Sequence, residues 1–446
     1  MELARKAALP AARMVGVSLM LAGGVAAAPA RNLRATAAEP SAAAGIEPAR
    51  AVGRIASLIR AEFYDAARAA RIANSLEAAA AAGAFDRLSD PRDLAYELTR
   101  RLAPEDRHFA LSWAVPESGQ QLLLPPPAAD LSRVNQGFVE ARMLAGGVGY
   151  VKIDQFAPID GPGCPAVAAA DAALAFVGSA PSLIIDLRDN GGGSPAMVGY
   201  LVQQFVADPA RIANRFKSRR GPDRLELSPV ARTHPARVDT PLFILVSGRT
   251  GSAAEALAYT LQAAGRATVV GERTGGAANP GSTHRTADGF RIFISGGTPV
   301  NPFTASNWEG VGVAPDISVP QADALHTAHL RALEAEPELP RMAAHVLETL
   351  KVGRATQATP ELLAGRYGDL EIVADHDTAL LRQGRRPERT LVALGGDRFS
   401  LAEDPSARLR VERAAGTGAV LALVREIPGG GEVRYYRTAV ETAALR

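Results

Sequence analysis

The chain has 446 residues, 49 of them Lys or Arg and 47 Asp or Glu, for a formal net charge of +2. Such a length exceeds one ordinary core and implies two or three domains. The balanced charge, with no dense basic block beyond the N-terminal segment, excludes nucleic acid as a partner, and the single cysteine, Cys164, excludes an internal disulfide.

The first thirty residues carry Arg5, Lys6 and Arg13, then an apolar stretch over 14–25, then the small residues Ala26-Ala27-Ala28-Pro29-Ala30. About a dozen apolar residues are too few for a comfortable span of roughly 20. Residues 1–30 therefore read as a cleaved export signal, which implies a periplasmic or secreted protein with no stable membrane span after cleavage. A retained N-terminal anchor is the alternative. Residues 31–48, rich in Ala, Pro and Ser, read as a spacer.

Helical spacing of Ile55, Leu58, Ile59, Phe63, Ile72, Leu76, Leu94, Leu98 and Leu102 predicts three helices in a small N-terminal bundle over 49–113. The third opens on Asp90 as N-cap and Pro91 in the first helical position. Residues 109–113 follow as a strand, and 115–132 as a polar, proline-rich loop. From Gly147 the pattern alternates: strands over 148–153, 183–187, 242–246 and 268–270, separated by helices over 165–177, 195–206 and 252–264. Alternation of this kind predicts an α/β fold, a sheet covered by helices, within a core over 114–352. A further strand is predicted over 290–294, and helix over 325–350 with a break at Pro340. Over 360–446, short strands at 367–373, 379–381, 391–394, 398–401, 409–412, 420–424 and 433–436 predict an accessory antiparallel barrel or sandwich.

Ser252 stands between the buried strand at 242–246 and an alanine-rich helix, with Gly248 and Gly251 permitting a sharp turn. Its hydroxyl meets the positive end of the helix dipole, which suits a nucleophile as well as an ordinary N-cap. A nucleophilic serine needs a base, a group that orients the base, and donors for the oxyanion. The stretch Asp186-Leu187-Arg188-Asp189-Asn190-Gly191-Gly192-Gly193-Ser194 supplies a loop able to turn N–H groups toward a carbonyl oxygen. It lacks the closing Lys-Ser or Lys-Thr and the spacing of a phosphate loop. Among the seven histidines, His234, His326, His329, His345 and His376 read as surface residues, whereas His108 and His284 stay open as bases.

Three segments in order, Asp186 to Gly193, Gly251-Ser252-Ala253-Ala254-Glu255, and Arg266 to Gly276 with its Val270-Gly271-Glu272, resemble the serine peptidases of the C-terminal-processing and tricorn-core family, in the branch that includes interphotoreceptor retinoid-binding protein. The resemblance covers about residues 50 to 320 and implies a core of the ClpP/crotonase type. In that family, Ser-Lys peptidases carry a lysine in a Thr-Phe-Gly-Lys-Gly segment; here the segment is Thr274-Gly275-Gly276-Ala277-Ala278, without it. The tricorn-like branch uses a histidine before the core and a glutamate after it, matched by Asp106-Arg107-His108 and by Glu309-Gly310-Val311-Gly312-Val313-Ala314-Pro315-Asp316. The resemblance thus implies Ser252 as nucleophile, His108 as general base, Glu309 as orienting acid, and N–H groups of Gly192 and Ala253 as oxyanion donors. Only 38 residues separate His108 from Gly147, too few for a PDZ insertion of ~80 to 100 residues, a typical small-domain size.

The expected activity is hydrolysis of peptides or unfolded proteins through an acyl-enzyme. Neither His-Glu-x-x-His nor a cysteine cluster is present, so no metal or other cofactor is expected. The alternative on the same fold is a non-catalytic binder of a hydrophobic ligand such as a retinoid or lipid.

Overall fold

The computed structural model describes residues 46–114, 131–352, 363–376, 378–427 and 430–438. The expected export signal, nearly all of the spacer and most of the proline-rich loop lie outside the described residues. Among those described, no helix is long and apolar enough to cross a membrane.

Three helices open the fold: α1 (Pro48–Glu62), α2 (Ala66–Ala81) and α3 (Pro91–Leu102). The start of α3 is the one its sequence encodes, since the Asp90 carboxylate accepts the Arg92 N–H at 2.8 Å and Pro91 occupies the first turn, where its missing N–H costs nothing. The three apolar stripes do not close on themselves alone. They share one core with Phe290, Ile292 and Ile294 of a strand almost two hundred residues later, Phe290–Ser295. That strand pairs antiparallel with Leu111–Trp113 on one side and Gly281–Arg285 on the other. His108 is therefore carried on the link between helix bundle and sheet.

The central sheet has six strands, in the spatial order Ile317–Ser318, Thr268–Gly271, Leu242–Val246, Leu183–Asp186, Gly149–Ile153 and Phe138–Met143. The first five run parallel and Phe138–Met143 is antiparallel at the edge. Parallel pairing needs crossovers, here α4 (Pro165–Phe176), α5 (Pro195–Val202) and α6 (Ala253–Ala263). These helices cover one face; α7 (Ala324–Glu334) and α8 (Arg341–Val352) cover the other. With both faces buried, Leu183–Asp186 and Leu242–Val246 read as continuous apolar or buried runs rather than as alternation. The helix expected to reach Val206 ends at Val202, and Phe205 continues into the core through a turn.

Eight consecutive antiparallel strands form the C-terminal domain. Its first strand, Gly365–Tyr367, is rejoined beyond the last by a Tyr367–Arg437 bridge and by the Thr438 N–H on Arg366 O at 2.8 Å, so the meander closes into a barrel. The strand expected over 367–373 is a hairpin of Gly365–Tyr367 and Leu370–Asp375. Gly368, at φ +61°, makes the turn that apolar patterning does not reveal.

Candidate active site

Ser252 sits on a sharp turn between the Leu242–Val246 strand and α6. The turn is pinned from below: Thr250 Oγ1 donates to Leu187 O at 2.8 Å, and Gly251 N–H donates to Asn190 O at 3.0 Å. Ser252 itself adopts φ 50°, ψ −120°, a sparsely populated conformation for a residue with a Cβ that persists only when its surroundings enforce it. An ordinary N-cap has extended φ/ψ. Strain at this serine favours the nucleophile reading over the cap.

Glu255 does much of the enforcing. Fully buried in the first turn of α6, it accepts the Ser252 N–H at 2.9 Å, the Gly276 N–H at 2.7 Å, the Ala277 N–H at 2.9 Å and the Thr274 hydroxyl. Sequence reading gave it no role, although a Ser followed three residues later by Glu is the spacing of a capping box.

The glycine loop lies directly against Ser252. A Cβ on Gly192, whose φ is +117°, would stand 2.8 Å from Ser252 Cβ and 3.0 Å from Gly251 O. Asn190, fully buried, shapes the loop by donating to Ile153 O at 3.0 Å and accepting the Gly192 N–H at 2.8 Å. In this resting state the Gly192 N–H is therefore already engaged. Ala253 is the first residue of α6, so its N–H has no place in the helix's own hydrogen-bond ladder.

His108 is fixed by an acid two residues before it. Asp106 Oδ1 accepts the His108 backbone N–H at 2.8 Å and lies 3.3 Å from Nδ1, while Asp106 Oδ2 accepts from Asn279 Nδ2 at 3.1 Å. Glu309 Oε2 lies 3.8 Å from the same Nδ1 and accepts the backbone N–H groups of Ala278 (2.7 Å) and Asn279 (3.1 Å). The imidazole rests on Phe293, ring centres 5.6 Å apart. Burial pulls the His108 pKa down, but the bond to Asp106 and the charges of Asp106, Glu309 and Glu255 outweigh it and raise it. Burial opposes ionisation of Asp106 too, yet the side-chain and backbone bonds from His108, with the one from Asn279, hold its carboxyl below the usual range. Glu309 is pushed up, by burial first and by the nearby Asp106 charge.

One backbone segment couples these halves. Gly276 and Ala277 present their N–H groups to Glu255, and Ala278 and Asn279 present theirs to Glu309. Arg107 adds a bond to Gly275 O at 2.5 Å. The structure thus gathers Ser252, Gly192, Ala253, His108 and Glu309 around residues 274–279, although no hydrogen bond joins Ser252 Oγ to His108 among the described residues; such bonds commonly tighten only with substrate in place. His284 lies elsewhere, on the Gly281–Arg285 strand with its Nε2 3.1 Å from Ser282 Oγ. Asp106, His108 and Glu309 also have the spacing of metal ligands, but hydrogen bonding within the site accounts for their arrangement.

Residues 147–319 match the model of peptidase family S41. The chain carries a peptidase family S41 domain. A stretch of 195 residues is 27% identical to the chloroplastic carboxyl-terminal-processing peptidase 1 of Arabidopsis thaliana, covering 43% of this chain and only 36% of that protein's length. Two solved structures align more loosely. The photosystem II D1 C-terminal processing protease shares 22% identity over 48% of each chain, with a TM-score of 0.32. A lipoprotein from Streptococcus agalactiae shares 15% over 65% of this chain and 97% of its own, with a TM-score of 0.43. Within the S41 domain lie Ser252, Gly192, Ala253 and Glu309; His108 and Asp106 precede it and reach the site from the helical bundle.

Proposed function

We propose that the protein is an exported serine peptidase that hydrolyses peptides or unfolded proteins through an acyl-enzyme on Ser252. The observation that carries this reading is the strained Ser252 turn with the glycine loop packed on its Cβ. Ser252 Oγ attacks the scissile carbonyl carbon as its proton passes to His108 Nε2. The oxyanion is met by the Ala253 N–H and by the glycine loop, where the Gly192 N–H serves if it is shared with, or released by, Asn190. His108 then returns the proton to the departing amine as the C–N bond breaks, and water, deprotonated by the same imidazole, hydrolyses the ester and restores Ser252. Acids at Nδ1, Glu309 with Asp106, hold the tautomer that leaves Nε2 free to accept, and they stabilise the imidazolium. In this reading residues 49–113 and the barrel after residue 360 flank the peptidase core and shape access to its cleft.

Labelling with a fluorophosphonate tests the proposal. The expected result is stoichiometric modification that Ser252→Ala abolishes, together with loss of casein or peptide-library cleavage in the same folded variant. Undiminished turnover by Ser252→Ala would overturn it, and a tight, saturable retinoid or lipid ligand without turnover would support the ligand-binding alternative.

A further inference from the structure

A cleft of about 420 Å³ is lined among others by Pro195, Phe216, Arg224, Leu225, Glu226 and Pro280, with Ala196 beside Pro195. Its position follows from the chain. Pro195 and Ala196 come directly after the glycine loop, whereas Pro280 comes directly after Asn279, the partner of both Asp106 and Glu309. Residues that continue directly from both halves of the site therefore border the cleft.

Most of these walls are apolar; Ser218 and Arg224 are exposed parts of the lining, and Glu226 is its buried polar residue. Glu226 is 5% exposed and its carboxylate is held by a single side-chain bond, from Asn214 Nδ2 to Oε2 at 2.8 Å; among the described residues its Oε1 has no partner. The orientation of that bond is fixed by Asn214's other contacts, since Nδ2 also donates to Thr260 Oγ1 at 2.9 Å and Oδ1 accepts from Asn301 Nδ2 at 3.0 Å. Thr260 belongs to α6, the helix that begins after Ser252. An unpartnered oxygen of this kind is costly, and a donor carried by a guest in the cleft would satisfy it. The hairpin beside the cleft exposes Arg215, Lys217 and Arg224 against one acid, Asp223, which disfavours a cationic guest.

We propose, on the peptidase reading above, that this cleft receives the substrate side chain next to the scissile bond and that Glu226 selects one that is apolar along its length and ends in a neutral hydrogen-bond donor, as tyrosine does. Burial pushes the Glu226 carboxyl up to about 7; in either protonation state it offers an acceptor to a phenol. Glu226→Gln reverses the polarity of the floor. Its amide oxygen takes the bond from Asn214 and its NH₂ falls where Oε1 was, so the phenol meets a donor.

The experiment compares peptides that differ only by Tyr or Phe, scanned on each side of the scissile bond, with wild type, Glu226→Gln and Glu226→Leu. Wild type should favour Tyr over Phe in kcat/KM by tenfold or more at one position, on the scale of a site built to bind a hydroxyl. Glu226→Gln, whose NH₂ the phenol oxygen can meet only as an acceptor, should reduce that ratio severalfold, and Glu226→Leu should invert it. Equal turnover of the two peptides by wild type, a preference for Lys, or a Tyr preference that survives both substitutions overturns the assignment; the wild-type ratio decides alone if neither variant folds. Binding of N-acetyl-tyrosine amide and N-acetyl-phenylalanine amide to Ser252→Ala, followed by calorimetry, separates the two proposals. Selective tyrosine-amide binding that needs Glu226, with no peptide turnover by wild type, sinks the peptidase reading and leaves the cleft standing. Ser252-dependent turnover without Tyr selectivity does the reverse.

Discussion

Asp106 stands nearer to the imidazole of His108 than Glu309 does, 3.3 Å against 3.8 Å from the same Nδ1, and it also holds the His108 backbone N–H. The bond from Asp106 has the geometry to fix the ring, whereas Glu309 faces it mainly as a charge. Asp106→Asn should therefore lower kcat by about a hundredfold or more, because an amide can offer its NH₂ to Nδ1 and favour the wrong tautomer. Glu309→Gln should cost less. Kinetics of both variants, with circular dichroism to confirm folding, check the ranking; a larger loss in Glu309→Gln would return the orienting role to the residue that sequence resemblance favours.

A pH profile follows from the same cluster. His108 must be neutral to act as base, and its pKa lies above the ordinary 6.5 once its neighbours' charges overcome burial. The acid limb of kcat/KM is expected above pH 6.5, with activity lost as pH falls through it. Asp106→Asn removes the principal raising interaction, so the limb should move to lower pH. For stability the sign is opposite: a raised histidine contributes fully below its unfolded pKa, and that contribution disappears as pH rises through the folded one. Denaturation midpoints from pH 5 to 9, compared between wild type and His108→Ala, measure it.

Much of this site was legible in the sequence, but unevenly. The apolar run at Leu242–Val246 and the glycines at 191–193 announce a buried strand and a permissive loop because each is a local property. Glu255 was passed over because its four donors come from Ser252, Thr274, Gly276 and Ala277, and only the fold brings them together. Phe138–Met143 and Gly281–Arg285 were not read as strands for a related reason: both are largely exposed, and hydrophobic patterning marks only strands with a buried face. The link between the N-terminal helices and Phe290, Ile292 and Ile294 was likewise invisible, since both segments look apolar and neither names its partner.

Glu255→Gln keeps the side-chain shape but places an NH₂ against hydrogen-bond donors that converge on a buried carboxylate. At least one of those donors loses its acceptor, at roughly 1–3 kcal/mol each. The Ser252 turn loses the group that holds its N–H. Expected outcomes are a drop of several degrees in Tm and a fall in kcat beyond what the stability loss explains at 25 °C; unchanged rates of fluorophosphonate labelling would refute Glu255 as the group that positions Ser252.

Gly192→Ala separates backbone strain from the loss of a functional group. The added methyl would lie 2.8 Å from Ser252 Cβ and 3.1 Å from Ala253 N, at a φ of +117° that side chains rarely adopt. Neither Ser252 nor Ala253 can move aside without disturbing the start of α6. The substitution should therefore cost kcat at least tenfold while leaving the His108 acid limb in place, which steady-state kinetics across pH resolves.

The barrel and α8 offer a test remote from the chemistry. Arg408, 4% exposed, reaches from the barrel to Thr349 Oγ1 at 3.0 Å, Glu348 Oε2 at 3.2 Å and the carbonyl of His345, all on α8. It also donates to the barrel's own Pro405 O at 3.0 Å. Burial lowers the Arg408 pKa, Glu348 opposes that shift, and the guanidinium stays charged at neutral pH. Arg408→Met would remove a donor from the carbonyls of His345, Pro405 and Ala407 and from the partly exposed Glu348; Thr349 Oγ1 still serves His345 O and Pro405 O, so the loss is about 1–2 kcal/mol when Glu348 is discounted for its exposure. Calorimetry should then show the barrel melting ahead of the peptidase core, where wild type melts in one step, while peptide turnover at 25 °C stays unchanged. A single transition at the wild-type Tm would mean that apolar contacts, and not Arg408, couple the two.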